Sequence, residues 1–338
     1  VGSEMCIRDR VNSGVTSQPV VNPYRRPAKR RPLPTASEFV EGILKGNVSM
    51  LGQAVTLIES TADRHQALAQ EVIEKCLPYS GNSRRIGITG VPGAGKSTSI
   101  DVFGLHVLRD GGKLAVLAID PSSERTRGSI LGDKTRMEKL SQHPSAFIRP
   151  SPSAGSLGGV ARKTRETIVL CEAAGYNNIF VETVGVGQSE TAVHSMVDFF
   201  LLIQLAGTGD ELQGIKRGIM EMADGIVINK ADGDNIDRAN LAAAQFRNAL
   251  HLFPPTPSKW RPEVVTYSGY YELNIDKVWD MIDRYFEYVK KTGYFERKRN
   301  EQAKYWMFET INEELRENFY RMPQIRALLE QKEMRVLN

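Results

Sequence analysis

Cysteine and histidine are scarce in this chain, which has three cysteines and five histidines among 338 residues. Cys6, Cys76 and Cys171 lie far apart without a C-x-x-C pair, and the histidines do not stand at metal-ligand spacing. This pattern argues against a disulfide framework, a cysteine zinc site and a histidine metal cluster. It fits a reducing compartment.

The chain also lacks a long apolar run and a strong excess of one charge. No apolar segment reaches the roughly 18 residues that span a bilayer, which predicts a soluble protein. Lysine and arginine together number 44 and the acids 40, so the net charge is +4. A charge this small does not indicate a nucleic-acid or membrane surface, and we predict neither kind of partner.

Residues 1–36 share no pattern with the rest of the chain. "VGSEMCIRDR" matches no fold element, and we interpret it as a non-native leader. "NPYRRPAKRRPLP" combines prolines with basic residues, which is typical of an extended, disordered tail. A mitochondrial transit peptide is the alternative, because residues 10–29 carry no acid, although the apolar periodicity of an amphipathic helix is missing.

From residue 81 to residue 293, apolar segments of strand length alternate with helical patterns. The predicted strands are "RIGITG", "LAVLAID", "AFIRPS", "NIFVETVG", "DFFLLIQL", "GIVINK" and "EVVTYSG". The predicted helices between them cover residues 97–109, 160–174, 212–223 and 238–250. Because buried strands separated by helices form parallel sheets, we predict an α/β domain with a mostly parallel sheet covered by helices on both faces.

Helical patterns flank this domain on both sides. Residues 37–80 predict an N-terminal helical segment with two apolar faces. Residues 294–338 predict a C-terminal extension of long, charged helices with an apolar stripe. No sheet is left for that stripe to cover, so it must be buried on the body of the protein or on a second subunit.

The segment "GVPGAGKST", residues 90–98, follows a predicted strand and opens a predicted helix. This is the context of the phosphate-binding loop G-x-x-x-x-G-K-[ST], and it predicts the P-loop NTPase fold. Its glycines let backbone N–H groups surround a phosphate, and the helix start adds positive potential. Lys96 can reach the β- and γ-phosphates, and Ser97 can offer its hydroxyl oxygen to Mg²⁺. The predicted contacts are Gly90, Val91, Pro92, Gly93, Ala94, Gly95, Lys96, Ser97 and Thr98.

The segment "VINKADG" ends a later predicted strand with an N-K-x-D pattern. Asp232 can accept hydrogen bonds from guanine N1–H and the N2 amine, which adenine cannot donate, so the pattern favours GTP over ATP. Asn229 can bond neighbouring backbone, and the Lys230 stem can cover the purine face. Ser268 and Gly269, after the last strand, are candidate backbone contacts to guanine O6.

The stretch "FVETVGVGQSE", residues 180–190, has the outline of a strand that enters a glycine-rich switch loop. In many P-loop nucleotidases an aspartate ends this strand and helps to hold Mg²⁺. This chain has Glu182 there. The longer side chain can reach the metal directly or through a water, and the sequence leaves both open.

Three longer strings resemble the MeaB-type (ArgK-type) G-protein chaperones of methylmalonyl-CoA mutase. They are "LAIDPSSERTRGSILGDKTRM" from residue 117, "ETVGVGQSE" from residue 182 and "GTGDELQGIKRGIMEMAD" from residue 207. The resemblance runs from about residue 39 to the C-terminus. It implies a SIMIBI-class GTPase that binds GTP or GDP with Mg²⁺. It also implies a homodimer that binds the mutase and gates adenosylcobalamin loading or protection.

The resemblance also implies roles for particular residues. The implied Mg²⁺ ligands are Ser97, Asp120, Asp133 and Glu182. A third mobile loop of the family matches residues 206–216, and Asp210 and Lys216 are its expected functional charges. Arg127 and Ala206 depart from the family pattern of a small residue and a proline, which puts nucleotide affinity and loop dynamics in question.

Hydrolysis also needs a residue that orients the attacking water. Gln188 follows the switch glycines but lies three residues beyond Gly185. It is a candidate for that role, with capping of the following helix as the alternative. The candidate catalytic residues are Lys96, Gln188, Asp210 and Lys216. Because no residue is clearly placed to orient water, we predict slow intrinsic GTP hydrolysis that a partner stimulates.

Two other functions stay open from the sequence. A GTPase metallochaperone for a nickel enzyme would call for a histidine-rich tail or a paired Cys/His site, which the chain lacks. A kinase of the LAO/AO type, serving an amino-acid transport system, would use the same phosphate loop, but the N-K-x-D pattern counts against it. We predict a cytoplasmic location, with the mitochondrial matrix as the alternative.

Two further groups of side chains are not expected to take part in nucleotide binding or hydrolysis. Arg162, Lys163 and Arg165 form a basic cluster on a predicted helix and are expected to face solvent. Trp260, Trp279 and Trp306 are expected to anchor packing, with an interface role open for Trp306.

Overall fold

The computed structural model describes residues 32–60, 62–109, 111–119, 137–150, 157–183, 189–206 and 217–337. The chain separates into two compact units, Val1–Pro34 and Thr35–Asn338. In the first unit only residues 32–34 are described, and they form neither helix nor strand. The predicted leader and most of the basic tail therefore lie outside the described residues.

In the described part of the second unit, seven strands form a single sheet. They are β1 (Arg84–Gly90), β2 (Leu114–Ile119), β3 (Ala146–Arg149), β4 (Asn178–Thr183), β5 (Phe199–Leu205), β6 (Gly225–Asn229) and β7 (Glu263–Thr266). Their order is β3-β2-β4-β1-β5-β6-β7. Every neighbouring pair runs parallel. The predicted parallel sheet and its seven strands are confirmed.

Helices precede, separate and follow these strands. They are α1 (Ala36–Leu44), α2 (Val48–Glu59), α3 (Asp63–Cys76), α4 (Lys96–Arg109), α5 (Glu138–Ser141), α6 (Leu157–Ala173), α7 (Ser189–His194), α8 (Arg217–Met222), α9 (Ile236–Leu250), α10 (Ile275–Lys291), α11 (Tyr294–Arg321) and α12 (Pro323–Leu337). Short 3-10 helices cover Leu77–Tyr79 and Gly233–Asn235.

Alternate residues along each central strand face opposite sides of the sheet, and both sides are covered by helices. Ala115 and Leu117 of β2 share a core with α1, α2, α3 and α6. Leu114 and Val116 share a second core with α4 and α10. A third cluster joins β6 to α9 through Phe246. The prediction of helices on both faces is confirmed.

The N-terminal helices begin at side chains that cap them. Thr35 and Glu38 form a capping box, in which the Glu38 N–H donates to Thr35 Oγ1 at 3.3 Å and Thr35 N–H donates to Glu38 Oε2 at 2.7 Å. Asn47 accepts from the N–H groups of Ser49 and Met50 at the start of α2. These caps divide the predicted helical segment into separate helices that pack on α6.

The first half of α11 is attached to the body by polar contacts with the turn that follows α7. Arg299 Nη2 bonds Asp198 Oδ2 at 2.7 Å and donates to the Ser83 carbonyl at 2.9 Å. Gln302 donates to the Val197 carbonyl at 2.8 Å. The Trp306 indole donates to the Ser195 carbonyl at 3.1 Å and is 8% exposed. Trp306 therefore anchors packing, as predicted.

The prediction of a solvated basic cluster on α6 is wrong. Lys163 Nζ donates to the Glu59 carbonyl at 2.8 Å. The Arg165 guanidinium lies 4.2 Å from the ring centroid of Trp306. Arg162 pairs with Glu166. Because α2 and α11 pack along α6, these basic side chains lie between elements rather than on an open face.

Candidate functional site

The phosphate loop connects the carboxyl end of β1 to the start of α4, and close contacts require glycine at two of its positions, Gly90 and Gly95. A Cβ on Gly90 would lie 2.2 Å from the Ile203 carbonyl oxygen. A Cβ on Gly95, whose φ is +85°, would lie 2.6 Å from Asn229 Nδ2. The backbone can approach β5 and β6 this closely only without a side chain.

Lys96, the first residue of α4, folds back over this loop. Its ammonium donates to the Gly90 carbonyl at 2.9 Å and to the Val91 carbonyl at 3.3 Å. Burial lowers the pKa of Lys96, and the negative charges of Glu182 and Glu190 oppose that shift. Both acids therefore lie close enough to act on the lysine. Glu182 was predicted for the site; Glu190, in the first turn of α7, was not.

Asn229 holds three loops together at the carboxyl end of β6. Its Nδ2 donates to the Ala94 carbonyl of the phosphate loop at 2.7 Å. Its Oδ1 accepts from the Lys230 N–H at 2.7 Å and from the Gly269 N–H at 3.0 Å. Since Asn229 is only 3% exposed, the bonds are shielded from water. They fix the predicted base-reading residues relative to the phosphate loop.

The Asp232 carboxylate is oriented by Ser268. Ser268 Oγ donates to Asp232 Oδ2 at 2.6 Å and accepts from the Tyr271 N–H at 3.2 Å. The N–H of Ser268 donates to the Leu273 carbonyl, and that of Gly269 is taken by Asn229. These amides thus already have acceptors within the protein, and their contact with guanine O6 stays a prediction.

Two further contacts support the site and were missed by the sequence reasoning. Ser99 Oγ donates to the Gly95 carbonyl at 2.8 Å and lies 2.6 Å from the Tyr267 hydroxyl. Because Ser99 has one hydroxyl proton, Tyr267 is the donor of that second bond. Thr183 Oγ1 donates to Thr89 Oγ1 at 2.8 Å and ties β4 to β1. Single serines and threonines within a helix or strand carry no sequence signal for such roles.

The remaining predicted site residues divide into two groups. Pro92, Gly93, Ser97 and Thr98 lie in or directly after the phosphate loop, with Ser97 partly buried in the first turn of α4. Asp120, Asp133, Gln188, Asp210 and Lys216 lie outside the described residues, as does Arg127. Within the described ranges, no group of three His, Cys, Asp or Glu side chains is placed to hold a metal ion.

The arrangement supports binding of a nucleotide at the carboxyl edge of the sheet. Glycine backbone and a lysine surround the position for a phosphate, and Asn229 links this loop to Gly269, the neighbour of the serine that holds the Asp232 carboxylate. In open parallel sheets, ligands bind outside the carboxyl ends of the strands.

No described helix is both long and apolar enough to cross a membrane.

Comparisons with known proteins give one consistent result. A family model described as "Methylmalonyl Co-A mutase-associated GTPase MeaB" matches residues 51–324. The chain is 47% identical over 281 residues to "GTPase ArgK" of Escherichia coli, covering 83% of this chain and 85% of that protein. A "Putative GTPase" of Caulobacter vibrioides is 50% identical over 287 residues, or 85% of this chain and 88% of that protein.

A mouse relative and a solved structure extend this result. "Methylmalonic aciduria type A homolog, mitochondrial" of Mus musculus is 45% identical over 307 residues, which cover 88% of this chain and 74% of that protein. A structure titled "Crystal structure of LAO/AO transport system kinase" matches with a TM-score of 0.73 and 38% identity. It covers 90% of this chain and 92% of its own.

Proposed function

Because this chain belongs to the MeaB family of methylmalonyl-CoA mutase-associated GTPases, we propose that it couples GTP hydrolysis to binding of the mutase. In this proposal the nucleotide state gates the loading or protection of adenosylcobalamin. The observation that carries the proposal is the set of hydrogen bonds made by the Asn229 side chain. It bonds the phosphate loop, the loop after β6 at Lys230 and the loop after β7 at Gly269. A site with this connection can join recognition of the base to the position of the phosphates.

Phosphoryl transfer to water depends on positioning and charge stabilisation more than on covalent chemistry. The loop N–H groups would bind phosphate oxygens. The Lys96 ammonium has three N–H donors, so it can turn to a phosphate from the carbonyls that it now contacts. Asp232, held by Ser268, would accept from guanine.

Mg²⁺ would be held by oxygen ligands, and the described residues of the site fit that chemistry. Ser97 offers a hydroxyl in the first turn of α4, and Glu182 lies at the carboxyl end of β4 between β1 and β2. We propose Asp120 and Asp133 as further ligands. The bound ion would neutralise charge on the phosphates. Gln188, Asp210 and Lys216 remain proposed catalytic residues.

Base selectivity tests the nucleotide part of this proposal. We expect GTP to bind at least about 100-fold more tightly than ATP, because adenine leaves the Asp232 carboxylate unpaired. Asp232→Ala should remove most of this preference, measured by titration calorimetry with both nucleotides. Asp237→Ala, on the first turn of α9, is the matched control and should bind GTP normally. Equal affinity for the two nucleotides in the unmodified protein would contradict the proposal.

Partner stimulation tests the chaperone part. Single-turnover hydrolysis of GTP should be slow for the chain alone and faster when methylmalonyl-CoA mutase is added. Rapid hydrolysis by the isolated chain, or no effect of the mutase on rate and no complex between them, would count against this role. Gln188→Ala that leaves both rates unchanged would remove Gln188 from the mechanism.

We also propose a homodimer through α11 and α12. Phe308, Ile311, Leu315 and Phe319 recur at spacings of three and four residues along the second half of α11 and are 51%, 46%, 64% and 50% exposed. Apolar residues at this spacing are typical of helix pairs. Leu315→Glu should convert the dimer to monomer in light scattering after size exclusion. The neighbouring exposed change Arg316→Glu should not, and a wild-type monomer would contradict the proposal.

The solved relative whose title names a kinase keeps a second function testable. Incubation of this chain with γ-labelled GTP, with and without mutase, should release labelled phosphate and label no protein. Labelled protein would support the kinase alternative instead. We propose the cytoplasm as the location, supported by the bacterial relatives, whereas the printed name of the mouse relative places that protein in mitochondria.

A further inference from the structure

A groove of about 870 Å³ lies at the opposite end of the sheet from the nucleotide site. The amino end of β7, the ends of α8 and α9 and the loop of residues 251–262 form its walls. The phosphate loop and Asn229 contribute nothing to its lining. A groove of this size is large enough to bind a ligand or a peptide segment. Its chemistry is therefore separate from GTP binding.

Hydrogen bonds and prolines in the loop of residues 251–262 hold the groove in one shape. The Trp260 indole donates to the Asp224 carbonyl at 2.9 Å, which attaches the loop to the start of β6. Thr256 Oγ1 donates to the Trp260 carbonyl at 2.7 Å, and the Trp260 N–H donates to Ser258 Oγ at 3.1 Å. Four prolines in the same loop restrict its backbone further: Pro254, Pro255, Pro257 and Pro262. A partner would lose little free energy to ordering this surface.

The lining of the groove combines apolar and cationic side chains. Phe253 and Trp260 supply the partly exposed apolar surface, together with the buried Met220 and Val264. The Arg217 guanidinium lies 5.6 Å from the centroid of the Phe253 ring. Three cations line the same groove, at Arg247, Lys259 and Arg261. In the described part of the chain, none of these cations forms an ion pair with a carboxylate.

The two acids of the groove are already neutralised by cations outside it. Glu221 pairs with Arg217 at 2.9 Å. Glu263 pairs with Arg284 at 2.7 Å. The groove therefore presents a net positive charge beside apolar surface, which is complementary to carboxylates beside an apolar side chain.

Arg247 has N–H donors left for a carboxylate, and Lys259 has a strained backbone conformation. Arg247 donates one hydrogen bond to the Val264 carbonyl at 3.3 Å, and a guanidinium has four further N–H donors. Lys259 takes a left-handed conformation with φ of 61°, which costs a non-glycine residue about 1–2 kcal/mol. Strain at a ligand-facing position often accompanies function.

We infer that this groove is a docking surface for an acidic protein segment, in which aspartates or glutamates flank a leucine or an aromatic residue. The carboxylates bind Arg247, Lys259 and Arg261, and the apolar side chain packs against Trp260 and the prolines. The inference goes beyond the proposed GTPase function, because no residue of the groove contacts the phosphate loop.

Fluorescence anisotropy with the full chain tests the inference. One labelled hexapeptide alternates glutamate with leucine and phenylalanine, and its counterpart has lysine in place of glutamate. The acidic peptide should bind and weaken as salt rises, whereas the basic peptide should not bind. Equal binding of the two peptides, or no binding of the acidic peptide at millimolar protein, would overturn the inference.

Two variants assign binding to the groove. The combined change Arg247→Glu, Lys259→Glu and Arg261→Glu should weaken the acidic peptide at least about tenfold and leave GTP affinity unchanged. The control change Lys277→Glu, Lys291→Glu and Lys304→Glu alters net charge equally on exposed positions elsewhere and should bind normally.

Lys259→Gly separates binding from folding, because glycine accepts the left-handed conformation without strain. It should fold at least as stably as the parent and bind the acidic peptide several-fold more weakly. An equal loss of binding in the control variant, or full binding by the groove variant, would overturn the inference.

Discussion

At the scale of single residues, the glycines of the phosphate loop are required for different reasons. Gly93 and Gly95 both have positive φ, of +80° and +85°. A Cβ on Gly93 would meet nothing within 4 Å, whereas one on Gly95 would meet Asn229 Nδ2 at 2.6 Å. Gly93 is therefore needed for its backbone angle alone, and Gly95 for both angle and space.

This difference predicts unequal effects of alanine. Gly93→Ala should cost about 1 kcal/mol of stability, and Gly95→Ala at least about 2 kcal/mol, because it also displaces Asn229. Urea unfolding measures both. Gly111→Ala is the control, with φ of +78° and open space outside the loop, and it should match Gly93. Equal losses at Gly93 and Gly95 would show that Asn229 moves aside freely.

His194 gives a pH dependence with a defined sign. Burial, with the nearby charge of Lys298, lowers the pKa of His194 from 6.5 to about 4. The unfolded chain therefore binds the proton first as pH falls, and folding loses stability from pH 6.5 down to about 4. The full loss should reach about 3 kcal/mol.

Urea unfolding between pH 7 and pH 5 measures this contribution, and His194→Gln provides the comparison. The parent should lose more stability over that interval than the variant does, because glutamine does not titrate. Parallel stability curves would mean that His194 has the same pKa in the folded and unfolded chains.

At the scale of elements, α11 is attached by a buried ion pair. The side chains of Arg299 and Asp198 are 14% and 2% exposed. The carboxylate also accepts from the Arg85 N–H at 2.8 Å. By contrast, the ion pair between Arg284 and Glu263, which joins α10 to β7, is exposed to solvent. The two side chains are 52% and 37% exposed.

Removing the two arginines should have different effects. Arg299→Ala leaves a buried carboxylate without its cation and should cost about 3 kcal/mol. Arg284→Ala should cost less than about 1 kcal/mol, because exposed pairs contribute little. Thermal and urea unfolding of both variants give the comparison. A loss below 1 kcal/mol for Arg299→Ala would show that α11 is held mainly by its apolar contacts.

At the scale of the whole molecule, two thiols report on global unfolding. Cys76 and Cys171 are both 0% exposed and belong to the same core. Burial raises the pKa of both thiols, that of Cys76 to about 11. In a Cys6→Ser chain, a disulfide reagent should label neither thiol without denaturant, and in urea labelling should follow the unfolded fraction. Rapid labelling of the native chain would show local opening of this core.

The sheet and the phosphate loop can be predicted from the sequence alone. Both are encoded locally, by apolar runs such as "FFLLIQL" and by glycines at fixed spacing before Lys96. The predicted and observed first residues of the seven strands agree to within one residue, because buried parallel strands are apolar along their whole length. The N-K-x-D pattern likewise predicts Asn229 and Asp232 as base-reading residues, without knowledge of any contact that they make.

Contacts between groups that are distant in the sequence become known only from the packing of the folded chain. The bond between Ser99 and Tyr267 joins residues 168 positions apart. The prediction that Arg165 faces solvent failed because Trp306, on a helix near the C-terminus, covers it. The residue types and the spacing of apolar residues indicate which side of a helix or strand is apolar. They do not indicate what packs against the polar side, because that depends on the three-dimensional arrangement of strands and helices.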